Sequence, residues 1–71
     1  MIMLKSKDFR ERDIYIDFPF ESAKFRWDKD ARKVYRRFYG EAEMEIPHDS
    51  KLWTEAVIAG RLIAREEYER D

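Results

Sequence analysis

Seven basic side chains, Lys24, Arg26, Lys29, Arg32, Lys33, Arg36 and Arg37, interleave with Phe25, Trp27, Tyr35, Phe38 and Tyr39 in one short stretch. Cationic groups beside rings supply phosphate contact and base stacking for a single-stranded nucleic acid. Arg, Trp and Tyr are also the residue types that dominate binding energy at protein interfaces. A third account needs no ligand. A half-buried strand alternates rings with charges as a matter of course, and Glu41, Glu43 and Glu45 can lie opposite the arginines as cross-strand ion pairs.

Other clusters point to less. Glu41, Glu43 and Glu45 followed by His48 offer carboxylates on alternate strand positions, which could chelate a cation, although such a row is more simply a solvated face that discourages edge pairing. His48, Asp49 and Ser50 have the residue types of a hydrolytic triad, but three consecutive residues cannot set base, orienter and nucleophile in a relay. There is no cysteine, and the two glycines, Gly40 and Gly60, form no phosphate loop. A chain of 71 residues also leaves little room for a substrate pocket. The sequence therefore predicts neither catalysis nor a cofactor or metal.

Composition bounds the class. With 15 Lys and Arg against 16 Asp and Glu, the net charge of -1 gives a weak field for drawing in a polyanion. Charge is uneven along the chain: residues 1–22 carry -1, residues 23–39 carry +5 and residues 40–71 carry -5. A length of 71 residues predicts a single domain, 1–71, held by apolar packing alone. The lack of cysteine suggests the cytoplasm, and no run of residues is apolar enough to suggest a signal peptide or a membrane span. Asn and Gln are absent, so a DNA reader built from this chain would lack the usual adenine contacts.

Apolar periodicity supplies the elements that would position these groups. Ile14, Ile16 and Phe18 alternate with polar residues up to Pro19, and Ala23, Phe25 and Trp27 repeat the pattern. A turn over Asp28 to Arg32 leads to a return strand from Val34 to Tyr39, Gly40 supplies a bulge or turn, and Ala42, Met44 and Ile46 mark a fourth strand. After Pro47, Asp49 or Ser50 is placed to cap a helix from about Lys51. Gly60 either sits inside that helix or ends it, leaving a second short helix from Ala64 to Arg70. The expected fold is α+β: a small antiparallel sheet of three to four strands with the C-terminal helix packed on one face. Its expected core is Ile14, Ile16, Phe25, Trp27, Met44, Ile46, Leu52, Ala56 and Ile63.

Ile58 and Leu62 fall four residues apart, away from the main apolar face of a continuous helix. Exposed there, they would form a partner or homodimer surface. A break at Gly60 would instead rotate Leu62 back into the core.

Residues 25 to 68 also carry a recognisable string: Phe25-Arg26-Trp27-Asp28, Lys33-Val34-Tyr35-Arg36-Arg37-Phe38-Tyr39-Gly40-Glu41, Ile46-Pro47-His48-Asp49 and Glu66-Glu67-Tyr68. It resembles small accessory proteins of phages and prophages. That resemblance implies a protein that binds and modulates a host protein, and it assigns no site residue. The leading reading is a non-catalytic cytoplasmic protein acting through protein contacts, with Arg26, Arg32, Tyr35, Arg36, Arg37 and Tyr39 as the recognition surface. The alternative is a nucleic-acid-binding module using the hairpin 24–39, and an acidic decoy over 41–71 is disfavoured by its four basic groups.

Overall fold

Alternating apolar residues draw the first strands together. In the structure, a computed structural model that describes residues 4–70, β1 (Ile14–Phe18), β2 (Ala23–Asp28) and β3 (Lys33–Phe38) form an antiparallel meander. The opening Met1-Ile2-Met3 and the final Asp71 lie outside the described residues. A short β4 (Met44–Ile46) joins β3, and a two-residue β5 (Arg61–Leu62) joins the far side of β1, giving five strands in the order β4-β3-β2-β1-β5. The fifth strand exceeds the sequence expectation because it is made by pairing to Ile16 and Asp17, not by any period of its own.

Register sets the two faces. Ile14 lies opposite Trp27, Ile16 opposite Phe25 and Phe18 opposite Ala23, so one face carries the apolar row of each strand. Helix α2 (Lys51–Ala59) covers it with Trp53 and Ala56, and α1 (Ser6–Glu11) adds Phe9, whose ring meets Trp27 at 6.0 Å and Trp53 at 6.3 Å. Ile16, Phe25, Val34 and Ala56 are wholly buried there. The opposite face carries Tyr15, Asp17, Lys24, Arg26, Tyr35 and Arg37, and α3 (Arg65–Glu69) lies across it, its Tyr68 ring 5.3 Å from Tyr15.

Of the expected core, Ile14, Ile16, Phe25, Ile46 and Ala56 are buried, Trp27, Leu52 and Ile63 are half-buried, and Met44 is exposed. Met44 stands at the outer end of edge strand β4, paired with Arg36, and stays exposed while Ile46 at the other end of the strand joins the core. Ser50 stands at the N-cap of α2, but its side chain makes no capping bond; its carbonyl accepts from Thr54 N instead, at 3.1 Å.

Gly60 ends α2. A methyl group at Gly60 would fall 2.5 Å from Ile16 Cγ2 and 2.6 Å from the Ala56 carbonyl oxygen, so only a residue without Cβ lets the chain turn from helix into β5 against β1.

Candidate protein-binding surface

Half of the basic hairpin is built into the face beneath α3. Arg26 Nε and Nη2 donate to the two carboxylate oxygens of Glu43 at 2.9 and 2.8 Å, while its guanidinium lies 4.2 Å from the Tyr35 ring centre. Glu43 also accepts from the Tyr68 hydroxyl at 2.7 Å. The Arg26 bonds hold the Glu43 carboxyl below its usual range, against the opposing effect of partial burial, and Tyr68 adds to the lowering. Burial, then the bond to Glu43, pushes the Tyr68 phenol up.

Two more cations from the sheet close the C-terminal end of α3. Lys24, 8 % exposed, donates its ammonium to the carbonyls of Glu67 and Arg70, and Arg37 donates to the carbonyl of Tyr68 at 2.7 Å. Those last-turn carbonyls carry the helix's negative dipole end, so cations suit them; the Glu67 carbonyl also accepts from the Arg70 amide, at 3.3 Å. Tyr39 donates to Asp17, which also meets Arg61 at 3.1 Å, and Arg61 reaches Glu67 at 2.6 Å. Between α3 and the sheet lies an open cavity of about 460 Å³, lined by Tyr15, Arg26, Arg37, Glu43, Arg65, Tyr68 and Glu69.

The remaining hairpin residues point elsewhere. Arg32 sits in the turn with φ 55°, its carbonyl bonded to His48 Nε2, while Asp28 accepts from the amides of Asp30 and Ala31. Arg36 lies on the opposite face, between Phe25 and Met44 in register. Its guanidinium is 4.4 Å from the Phe38 ring centre, and Nη2 contacts Met44 Sδ at 3.3 Å. Phe20 projects from the 3-10 turn Pro19–Glu21, at the same end of the sheet as Phe38, and is 85 % exposed.

The six hairpin residues thus do not form one surface. Arg26, Tyr35, Arg37 and Tyr39 share the α3 face, Arg36 takes the other, and Arg32 belongs to the turn. The acidic row supplies partners, Glu43 to Arg26 and Glu45 to Lys33 at 3.5 Å. No group of side chains able to hold a metal ion occurs among the described residues. His48 is engaged with a backbone carbonyl, away from any relay with Asp49 and Ser50. Ile58 and Leu62 are both exposed, at 58 % and 43 %, although the helix stops at Gly60 and Leu62 belongs to edge strand β5 opposite Ile16.

A family model described as the Tis1 immunity protein matches residues 1–71. The chain belongs to the Tis1 immunity protein family. It is 48% identical over 71 residues to the Immune protein Tis1 of Pseudomonas aeruginosa (strain UCBPP-PA14), a match covering 97% of this chain and 92% of that protein. It is also similar to a chain in the crystal structure of the complex between the type VI effector Tas1 and its immunity protein, with a TM-score of 0.85, 44% identity, and coverage of 94% of this chain and 92% of that one.

Tis1 membership corrects the phage and prophage resemblance. The string behind that resemblance runs through β2, β3, the end of β4, the turns and α3, all within the residues that the Tis1 family model matches. As a member of the Tis1 immunity protein family, the protein is a small, non-catalytic binding protein. No helix among its described residues is long and apolar enough to cross a membrane.

Sequence reasoning missed Phe20, Tyr68 and Asp17 as organising residues; it named Lys24 in the hairpin and Glu43 as an ion-pair partner of its arginines, but not the helix that both hold. A signal for the α3 face was present: Tyr15, Lys24, Arg26, Tyr35 and Arg37 are long side chains capable of covering a helix, all on the outward period of three adjacent strands.

Proposed function

We propose that this protein confers immunity by binding a type VI effector of the Tas1 kind and holding it inactive in a stoichiometric complex. The observation that carries this reading is the likeness, over 94% of the chain, to a chain from the Tas1–immunity protein complex. The architecture agrees with such a role. Side chains from four strands and α3 lock the backbone, leaving a rigid body whose aromatic, Arg and Met groups suit protein contact.

The nucleic-acid alternative gains no support, since Arg26 pairs with Glu43 and Arg37 is bonded to α3. Self-association through Ile58 and Leu62 gains none from the comparisons. We keep the cytoplasm as the proposed compartment, on the sequence argument, and cell fractionation tests it.

Titration calorimetry of the purified protein with the Tas1-type effector of the same organism tests the main reading. A one-to-one complex with a Kd below about 1 μM, together with rescue of a bacterial host expressing the effector, is the expected result. Absence of both complex and rescue overturns it.

A further inference from the structure

Arg36 breaks the rule that organises its own strand. The inward positions of β3 are Val34, Arg36 and Phe38, and the residue opposite Arg36 on β2 is the wholly buried Phe25. A guanidinium at that register is half-buried among apolar groups, where charge is costly to place without a partner. Arg26, Arg61 and Arg65 each hold a carboxylate. Arg36 pairs with none among the described residues. Its Nη2 has only the Met44 sulfur, its face has only the Phe38 ring, and its Nε is buried without a hydrogen-bond acceptor.

The surroundings are as unusual as the charge. Phe20 and Met44 are among the most exposed large apolar residues of the chain, and Phe38 continues the row that runs from Phe18 through Ala23. The chief packing of helix α2 on the sheet is against β1, away from β3 and β4. Local conflict between residue type and register is where function is to be sought, and a positive charge in an apolar frame calls for a negative one on whatever covers it.

We propose that Arg36, in contact with Phe38 and Met44 and with the exposed Phe20 at the same end of the sheet as Phe38, is the anchor of the effector-binding surface and takes a carboxylate borne on an apolar segment of that effector. This rests on the effector-binding reading above. A carboxylate placed there accepts from the guanidinium in charge-assisted bonds, and the surrounding rings and thioether exclude water from the pair. The site differs from the α3 face, whose arginines already hold acceptors within the chain.

The test is calorimetry with the Tas1-type effector of the same organism, run on the intact protein and on Phe20→Ala, Arg36→Met, Arg36→Lys and Arg65→Ala. Arg36→Met keeps an unbranched apolar stem in place and removes the guanidinium with its charge and donors, so it is expected to raise Kd by at least about tenfold. Arg36→Lys should recover part of that loss, and Phe20→Ala, at a residue 85 % exposed whose ring touches only Phe18 among the aromatic groups described, should raise Kd by a similar factor, with the thermal transition of each variant checked alongside. Arg65→Ala, on the other face, should bind as the parent does. If the parent itself forms no complex, the effector-binding reading fails. If the parent binds and both Phe20→Ala and Arg36→Met bind equally well, that reading stands and this anchor is wrong. If Phe20→Ala weakens binding while Arg36→Met does not, the covering segment is apolar without a carboxylate, which also overturns the assignment.

Discussion

The Tyr68 hydroxyl lies 2.7 Å from Glu43 Oε1, joining α3 to the segment just before β4. Glu43 takes this donor in addition to both donors from Arg26, so one carboxylate ties β2, the approach to β4 and α3 together. Tyr68→Phe removes the hydroxyl and leaves the Arg26 pair, and should cost about 1 kcal/mol. Tyr68→Ala also vacates a side chain that is 4 % exposed and should cost about 3 to 5 kcal/mol. Urea unfolding of the two variants gives both differences.

Acid should loosen the same contact. The Glu43 carboxyl is held below its ordinary 4.5 by Arg26 first, with Tyr68 adding to the effect against desolvation. A group whose folded pKa is depressed contributes stability that is present above the unfolded value and disappears as pH falls through the folded one. Unfolding free energy should therefore decline as pH drops below about 4.5. Glu43→Gln should lower stability at pH 7 and flatten that decline.

Alkali acts through the phenols. Tyr39 is pushed up to about 12, by burial first and then by its bond to Asp17. Because the folded value is raised, the associated stability is whole below pH 10 and fades as pH climbs toward 12. Ultraviolet titration should show a late-ionising tyrosine that Tyr39→Phe removes; an unchanged titration would count against the Asp17 contact.

Gly60→Ala should destabilise by about 1 to 3 kcal/mol, since the new methyl meets Ile16 and the Ala56 carbonyl and one of these is backbone that cannot swing aside. Thermal unfolding monitored by circular dichroism checks this.

Ile58→Lys with Leu62→Lys should keep a cooperative thermal transition, because both side chains already face solvent. Loss of the transition would mean that Leu62 contributes to the core across from Ile16.

How far the residues announced this structure depends on where each element draws its order. The limits of β1 and β2 were readable because a period of two runs unbroken to Pro19 and to the Asp28 turn. Helix α1 was not, since Phe9 is the single apolar residue among Ser6–Glu11 and the helix is held by rings from Trp27 and Trp53. Strand β5 owes its existence to a partner 46 residues earlier, Ile16 for Leu62, which no local pattern encodes. The hairpin read correctly as arginine and aromatic strands, and alternation alone places Arg36 with Val34 and Phe38, apart from Tyr35, Arg37 and Tyr39; that α3 covers the second of these faces has no local signal. The side chains of Phe20 and Arg36 stood out only once the limits of α2 were known.

Arg36 and Arg37 are neighbours on β3 whose side chains leave in opposite directions, one toward the uncovered corner and one into the end of α3. A five-residue helix cannot sustain itself, so α3 persists through what the sheet lends it, and in return it immobilises the strand from behind. The backbone beneath Arg36 is therefore already ordered before anything reaches it. Association at that corner need freeze only surface rotamers, which favours slow dissociation over tight but sluggish capture.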